Sequence, residues 1–98
     1  MDQAGMEQVA AEHGQKVVRG DMDAVVGDIA QELHPHVPEV AGLLPQPTTE
    51  ANVLSVEVQG GQAVCEIRYA GDDKSVTLRS RWEERNGKPV IVEVGPTG

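Results

Sequence analysis

The sequence predicts an α+β fold in which two amphipathic helices precede a curved four-stranded antiparallel meander. Three observations predict it. Apolar residues recur at helical spacing through the first third of the chain. Four segments after residue 50 alternate apolar and polar residues with period two. Short turn sequences, Gly60-Gly61 and Asn86-Gly87, separate those segments at hairpin spacing.

Met6, Val9, Ala10, His13 and Val17 define the apolar stripe of a helix over residues 3–19. Glu7, Glu12, Lys16 and Arg19 occupy its opposite face. Gly14 weakens this helix by about 1 kcal/mol relative to alanine. Gly20 suits the left-handed position past a helix end, and Asp21 suits the N-cap of the next helix. Met22, Val25, Val26, Ile29, Ala30 and Leu33 then continue at helical spacing, so a second helix is expected to run to residue 34 and stop at Pro35. Asp28 and Glu32 fall on the polar side of that helix.

Residues 35–49 read as a proline-rich connector with Pro35, Pro38, Pro45 and Pro47. Glu39 to Leu44 suits a helical turn, and Leu43-Leu44 are expected to dock on the core. The sheet follows over residues 50–95. Its inner face is expected to carry Leu54, Val56 and Val58, then Ala63, Cys65, Ile67 and Tyr69. Val76, Leu78, Ser80 and Trp82, and then Val90, Val92 and Val94, complete it. The outer face carries Glu57, Glu66, Arg68, Arg79, Arg81 and Glu93, interrupted by Val53, Val64 and Ile91. Arg79 and Arg81 are placed to pair with Glu57 and Glu66.

At 98 residues, the chain is one domain spanning 1–98. With no Phe, one Trp and one Tyr, its core must be aliphatic. Eight basic against sixteen acidic residues give a net charge of −8. Such a chain lacks the cationic field that attracts phosphate backbones or anionic lipids, so neither nucleic acid nor membrane is an expected partner. Cys65 is the single cysteine and cannot form an intrachain disulfide. The first residues have neither a basic stretch nor an apolar run, so no signal peptide is read and a cytoplasmic location is expected.

The helix carrying Gly20-Asp21-Met22-Asp23-Ala24-Val25 and the late strand from Val76 through Trp82 to Pro89 resemble the nuclear transport factor 2-like superfamily, with its SnoaL-like members. The resemblance covers most of the chain in order of elements. It implies a cystatin-like roll with a pocket between helices and sheet, often dimerised through the sheets. The chain is shorter than most members, and its connector leaves little room for a third helix or an additional strand. The Gln-x-Val-x-Gly loop of the inhibitory cystatins is not present, since Gln15 to Gly20 is one residue too long and sits in a helix.

Isomerase-like members of that superfamily use a pocket carboxylate base and a hydroxyl donor. No expected inner-face position is acidic, so that dyad cannot be transferred to this sequence. The pocket candidates are His13, Met22, Cys65, Tyr69 and Trp82. His13 suits a pocket acid or base, or a packed histidine with its nitrogens satisfied. Tyr69 and Trp82 carry polar handles on apolar bodies. Cys65, held among apolar neighbours, is expected to be inert. His34 and His36 are two extended-chain neighbours, with Glu39 or His13 as a conceivable third ligand, but a bare pair falls short of a structural metal set. Their other reading is a helix C-terminus, whose dipole favours histidine. No cofactor is expected. The sequence points to a non-catalytic binding or interaction module, dimeric through the outer sheet face, that takes a small apolar ligand or a protein partner. The alternative is a small-molecule isomerase or cyclase using His13 or His34 with Tyr69.

Overall fold

A computed structural model describes residues 1–97. The first helix, α1 (Gln3–Arg19), begins where the Asp2 carboxylate accepts a hydrogen bond from the Gly5 amide at 2.6 Å. It ends at Gly20, which takes the left-handed conformation, and the Asp21 amide closes the cap on the Lys16 carbonyl. Met6, Ala10, His13 and Val17 are buried, as the helical spacing requires. Gly14 has a second use on this stripe. A Cβ there would stand 3.0 Å from the Cβ of Ala51, so glycine lets α1 lie directly on the first strand.

The second helix is much shorter than its apolar pattern suggests. Helix α2 (Met22–Gly27) starts at Asp21, whose side chain accepts from the Ala24 amide, and stops at Gly27 rather than Pro35. The chain then straightens and pairs with the sheet. The Ala30 amide donates to the Ile91 carbonyl and the Ile91 amide donates to the Asp28 carbonyl, both at 2.8 Å. Ile29 thereby forms a parallel bridge with Ile91. Two hydrogen bonds to the sheet replace the helical ones, and the 3.6-residue spacing of Ile29 and Leu33 coincides with a different geometry. A 3-10 helix over Gln31–His36 follows and contains Pro35.

Helix α3 (Val37–Ala41) fills the connector, with Pro38 in its first turn. The connector therefore holds the third helix for which the sequence seemed to leave little room. Leu44 reaches the core, whereas Leu43 stays 37% exposed.

Four strands complete the chain: β1 (Glu50–Gln59), β2 (Gln62–Ala70), β3 (Ser75–Arg85) and β4 (Lys88–Pro96). They form one open antiparallel sheet in the order β1-β2-β3-β4. The Asn86-Gly87 turn has both residues at positive φ, 54° and 76°, as a tight hairpin demands. Helix α1 packs chiefly over β1, and the 3-10 helix lies against β4. Arg85, at the tip of the β3–β4 hairpin, grips Glu32 with two bonds of 2.9 and 2.7 Å, and Lys88 reaches the Gly27 carbonyl at 3.0 Å. These contacts tie the helical layer to the sheet.

Strands β2 and β3 place their residues as alternation predicts, with Ala63, Cys65, Ile67, Tyr69, Leu78, Ser80 and Trp82 all buried. The outer strands do not. Val53 lies opposite Ile67 and Ser55 opposite Glu66, so Leu54 is an extra residue in a bulge. It is 56% exposed and not part of the inner face. Before the bulge the parity is the reverse of simple alternation, so Val53 stands opposite Ile67, while after it Val56 and Val58 stand opposite Cys65 and Ala63 as expected. In β4 the same happens at Val92. Trp82 faces Ile91 and Arg81 faces Glu93, so Ile91 is an inner residue at 2% exposure and Val90 lies opposite Glu83 on the outer face. On that outer face Arg79 stands opposite Glu66, but Arg81 pairs with Glu93 at 3.5 Å rather than with Glu57.

Candidate functional site

The buried stripe of α1 delivers His13 to the centre of the molecule. Asp28 arrives from the other side. It caps α2, its backbone carbonyl is held by β4, and its side chain turns back toward α1. The imidazole Nδ1 and the Asp28 Oδ2 are 2.9 Å apart, and both groups are buried. One turn further along α1, the Lys16 ammonium donates to both Asp28 oxygens, at 3.1 and 3.0 Å. Burial pushes the Asp28 carboxyl up, but the bonds from His13 and Lys16 together outweigh it and hold the group below its ordinary value. Asp28 is therefore a carboxylate at neutral pH.

An ionised carboxylate only accepts hydrogen bonds, so the Nδ1–H of His13 is the donor to Asp28, and Nε2 is the ring nitrogen left for another partner. Trp82 orients the ring from another direction. The two rings meet edge to face at 90°, with centroids 5.4 Å apart. The indole N–H in turn donates to the Ser80 hydroxyl at 2.8 Å. Among the described residues Nε2 makes no hydrogen bond, and no fully buried side-chain polar atom is left without a partner. Nε2 thus reaches accessible space.

A cavity of about 310 Å³, with His13 in its lining, lies between the helical layer and the sheet and is open at one side. Its wall is mainly apolar, built by Val17, Val25, Ile29, Leu33, Leu78 and Ile91. His13, Met22 and Tyr69 also line it. Tyr69 is buried to 2% exposure, and burial, with a smaller contribution from Cys65, pushes its hydroxyl well above the ordinary tyrosine value. It remains a neutral donor across the physiological range. Met22 sits at the rim, 40% exposed.

Two sequence candidates stand elsewhere. Trp82 and Cys65, both at 0% exposure, belong to the packed core behind the cavity wall. Burial pushes the Cys65 thiol up to about 11. His34 is half-buried and donates from Nε2 to the Ile29 carbonyl at 3.0 Å, which fixes the 3-10 segment. His36 is exposed and contributes to the rim with Glu39. Among the described residues, no group of three or more His, Cys, Asp or Glu side chains is arranged to hold a metal ion.

Asp28 is the residue of this candidate site that periodicity missed. Extending the helix to residue 34 placed it on the solvent side. The available signal was Gly27-Asp28, which repeats seven residues later the Gly20-Asp21 pair that ends α1.

No protein-family model matches the chain, and no curated protein matches it. Among solved structures, the chain is similar to the solution structure of a SEC-C motif containing protein from Rhodopseudomonas palustris. The TM-score is 0.63 at 19% identity, over 86% of this chain and 72% of that one. At that identity the likeness concerns the fold alone.

Proposed function

We propose that this domain binds a small apolar ligand in the cavity between its helices and sheet. The cavity itself carries the reading: a largely apolar chamber of about 310 Å³ with His13 and Tyr69 in its wall and His36, Glu39 and Glu93 as its other polar lining residues. Small-molecule sites have this composition, with an apolar lining for affinity and few polar atoms for orientation. The order of elements supports a scaffold of the nuclear transport factor 2-like kind. Titration of the isotope-labelled protein with neutral aromatic fragments tests the proposal. The expected result is saturable amide shifts at Val17, Val25, Ile29 and Leu78, lost in an Ile29→Trp variant that fills the chamber. Shifts confined to the surface would refute it.

The His13–Asp28 pair favours a second reading, proton transfer on the bound ligand. A histidine whose Nδ1–H is held by a carboxylate, in the wall of a mainly apolar chamber, is suited to general base work. Deuterium exchange into an acidic carbon of a bound ligand, present in the wild type and lost in His13→Gln, would establish it.

The outer face supports self-association. Its alternating charges, with Arg81 beside Glu93 and Arg79 opposite Glu66, are complementary to a two-fold copy of themselves.

A further inference from the structure

Resting on the ligand-binding reading, we propose that the cavity selects an uncharged, hydroxyl-bearing ring compound and excludes carboxylates of the same skeleton. The selection follows from which charges reach the chamber and which are already committed.

No lysine or arginine lines the cavity. Lys16, the cation one turn from His13 on α1, is engaged by both oxygens of Asp28. Glu39 and Glu93 are the carboxylates along the wall, and Glu93 is taken by Arg81 at 3.5 Å. An entering anion would leave water for a mostly apolar chamber without finding a counter-ion. It would also compete with Asp28 for the donors of His13 and Lys16, which that carboxylate already holds.

A neutral hydroxyl is the complementary group. It donates to Nε2 of His13 while its ring lies on Val17, Val25, Ile29 and Leu78. The Tyr69 hydroxyl, a neutral donor in the same wall, is available to a second oxygen of the ligand. The size of the chamber suits a compound of one or two fused rings.

Three probes on one skeleton separate the contributions: 2-naphthol, 2-methoxynaphthalene and 2-naphthoate. Each is titrated into the full chain at pH 7 and followed by amide shifts. 2-Naphthol is expected to bind about tenfold more tightly than its methyl ether, which has no proton to donate. 2-Naphthoate is expected to bind more weakly still. His13→Phe should equalise naphthol and ether. In case that variant misfolds, long-range proton–nitrogen spectra of the wild type give a second measurement: naphthol should shift Nε2 of His13 and leave Nδ1 protonated. Binding of naphthoate as tight as naphthol, or of the ether as tight as naphthol, overturns the selectivity while leaving ligand binding intact. Failure of all three to perturb the cavity overturns ligand binding itself, and the selectivity with it.

Discussion

Removing the Asp28 side chain leaves Lys16 and the His13 Nδ1–H without the acceptor they share. Asp28→Ala is expected to cost about 2–3 kcal/mol in urea unfolding at pH 7, because a buried donor loses its partner. The effect has a defined pH dependence. The folded carboxyl titrates below its ordinary 3.8, so its contribution is complete above that value and fades as the pH falls through the folded value. Wild type and variant should therefore begin to converge only as the pH falls below the ordinary carboxylate value, and a gap that stayed undiminished to the acid end would contradict the pairing. Cys65 makes a complementary case. With no exposed surface and its thiol pushed up to about 11, it should resist a thiol reagent at pH 8 in the folded protein and react fully in denaturant. Fast labelling of the native state would show that the core opens.

At the scale of elements, two bulges decide which valines and isoleucines are inside. Ile91→Ala should cost about 2–4 kcal/mol, since Ile91 packs beside Trp82 with 2% exposure. Val90→Ala, on the outer face, should cost less than about 1 kcal/mol. Simple alternation makes the opposite prediction, so the pair of urea midpoints tests the register directly. Period-two patterning identified β2 and β3 residue by residue because both are central strands paired on two sides. It failed in β1 and β4, where a single inserted residue costs little and leaves no mark on composition. Likewise, the apolar spacing from Met22 to Leu33 fits a helix, but the competing hydrogen bonds to Ile91 come from a residue more than sixty positions away. No local pattern registers such a contact. Asp28 was hidden for the same reason, while His13 and Tyr69 were legible because their elements are regular.

For the whole molecule, the turn signals were sufficient for topology. Gly20-Asp21, Gly60-Gly61 and Asn86-Gly87 each fall where the chain reverses, and the meander follows from joining neighbours by short turns. The cavity was not legible, because it depends on the chain leaving α2 early and on α3 standing off the sheet. Two further outcomes are expected at this scale. Sedimentation equilibrium at micromolar concentration should give twice the 10.5 kDa chain mass, and charge reversal of Arg81 should return the monomer. A ligand at one hundred times its dissociation constant should raise unfolding stability by about 2.7 kcal/mol. A monomer at all concentrations would remove the outer face as a contact surface and leave the cavity unaffected.

The edge-on contact between Trp82 and His13 gives the molecule an intrinsic optical reporter. Trp82 is the single indole in the chain, fully shielded from water, and its ring meets edge to face the imidazole of His13, which lines the cavity. A change at the imidazole reaches the indole through that contact, so emission intensity is expected to respond when the cavity beside His13 is filled. Emission wavelength follows the dryness of the core. Cavity occupancy and unfolding are therefore expected to be read separately, by intensity and by wavelength, in one unlabelled fluorescence spectrum.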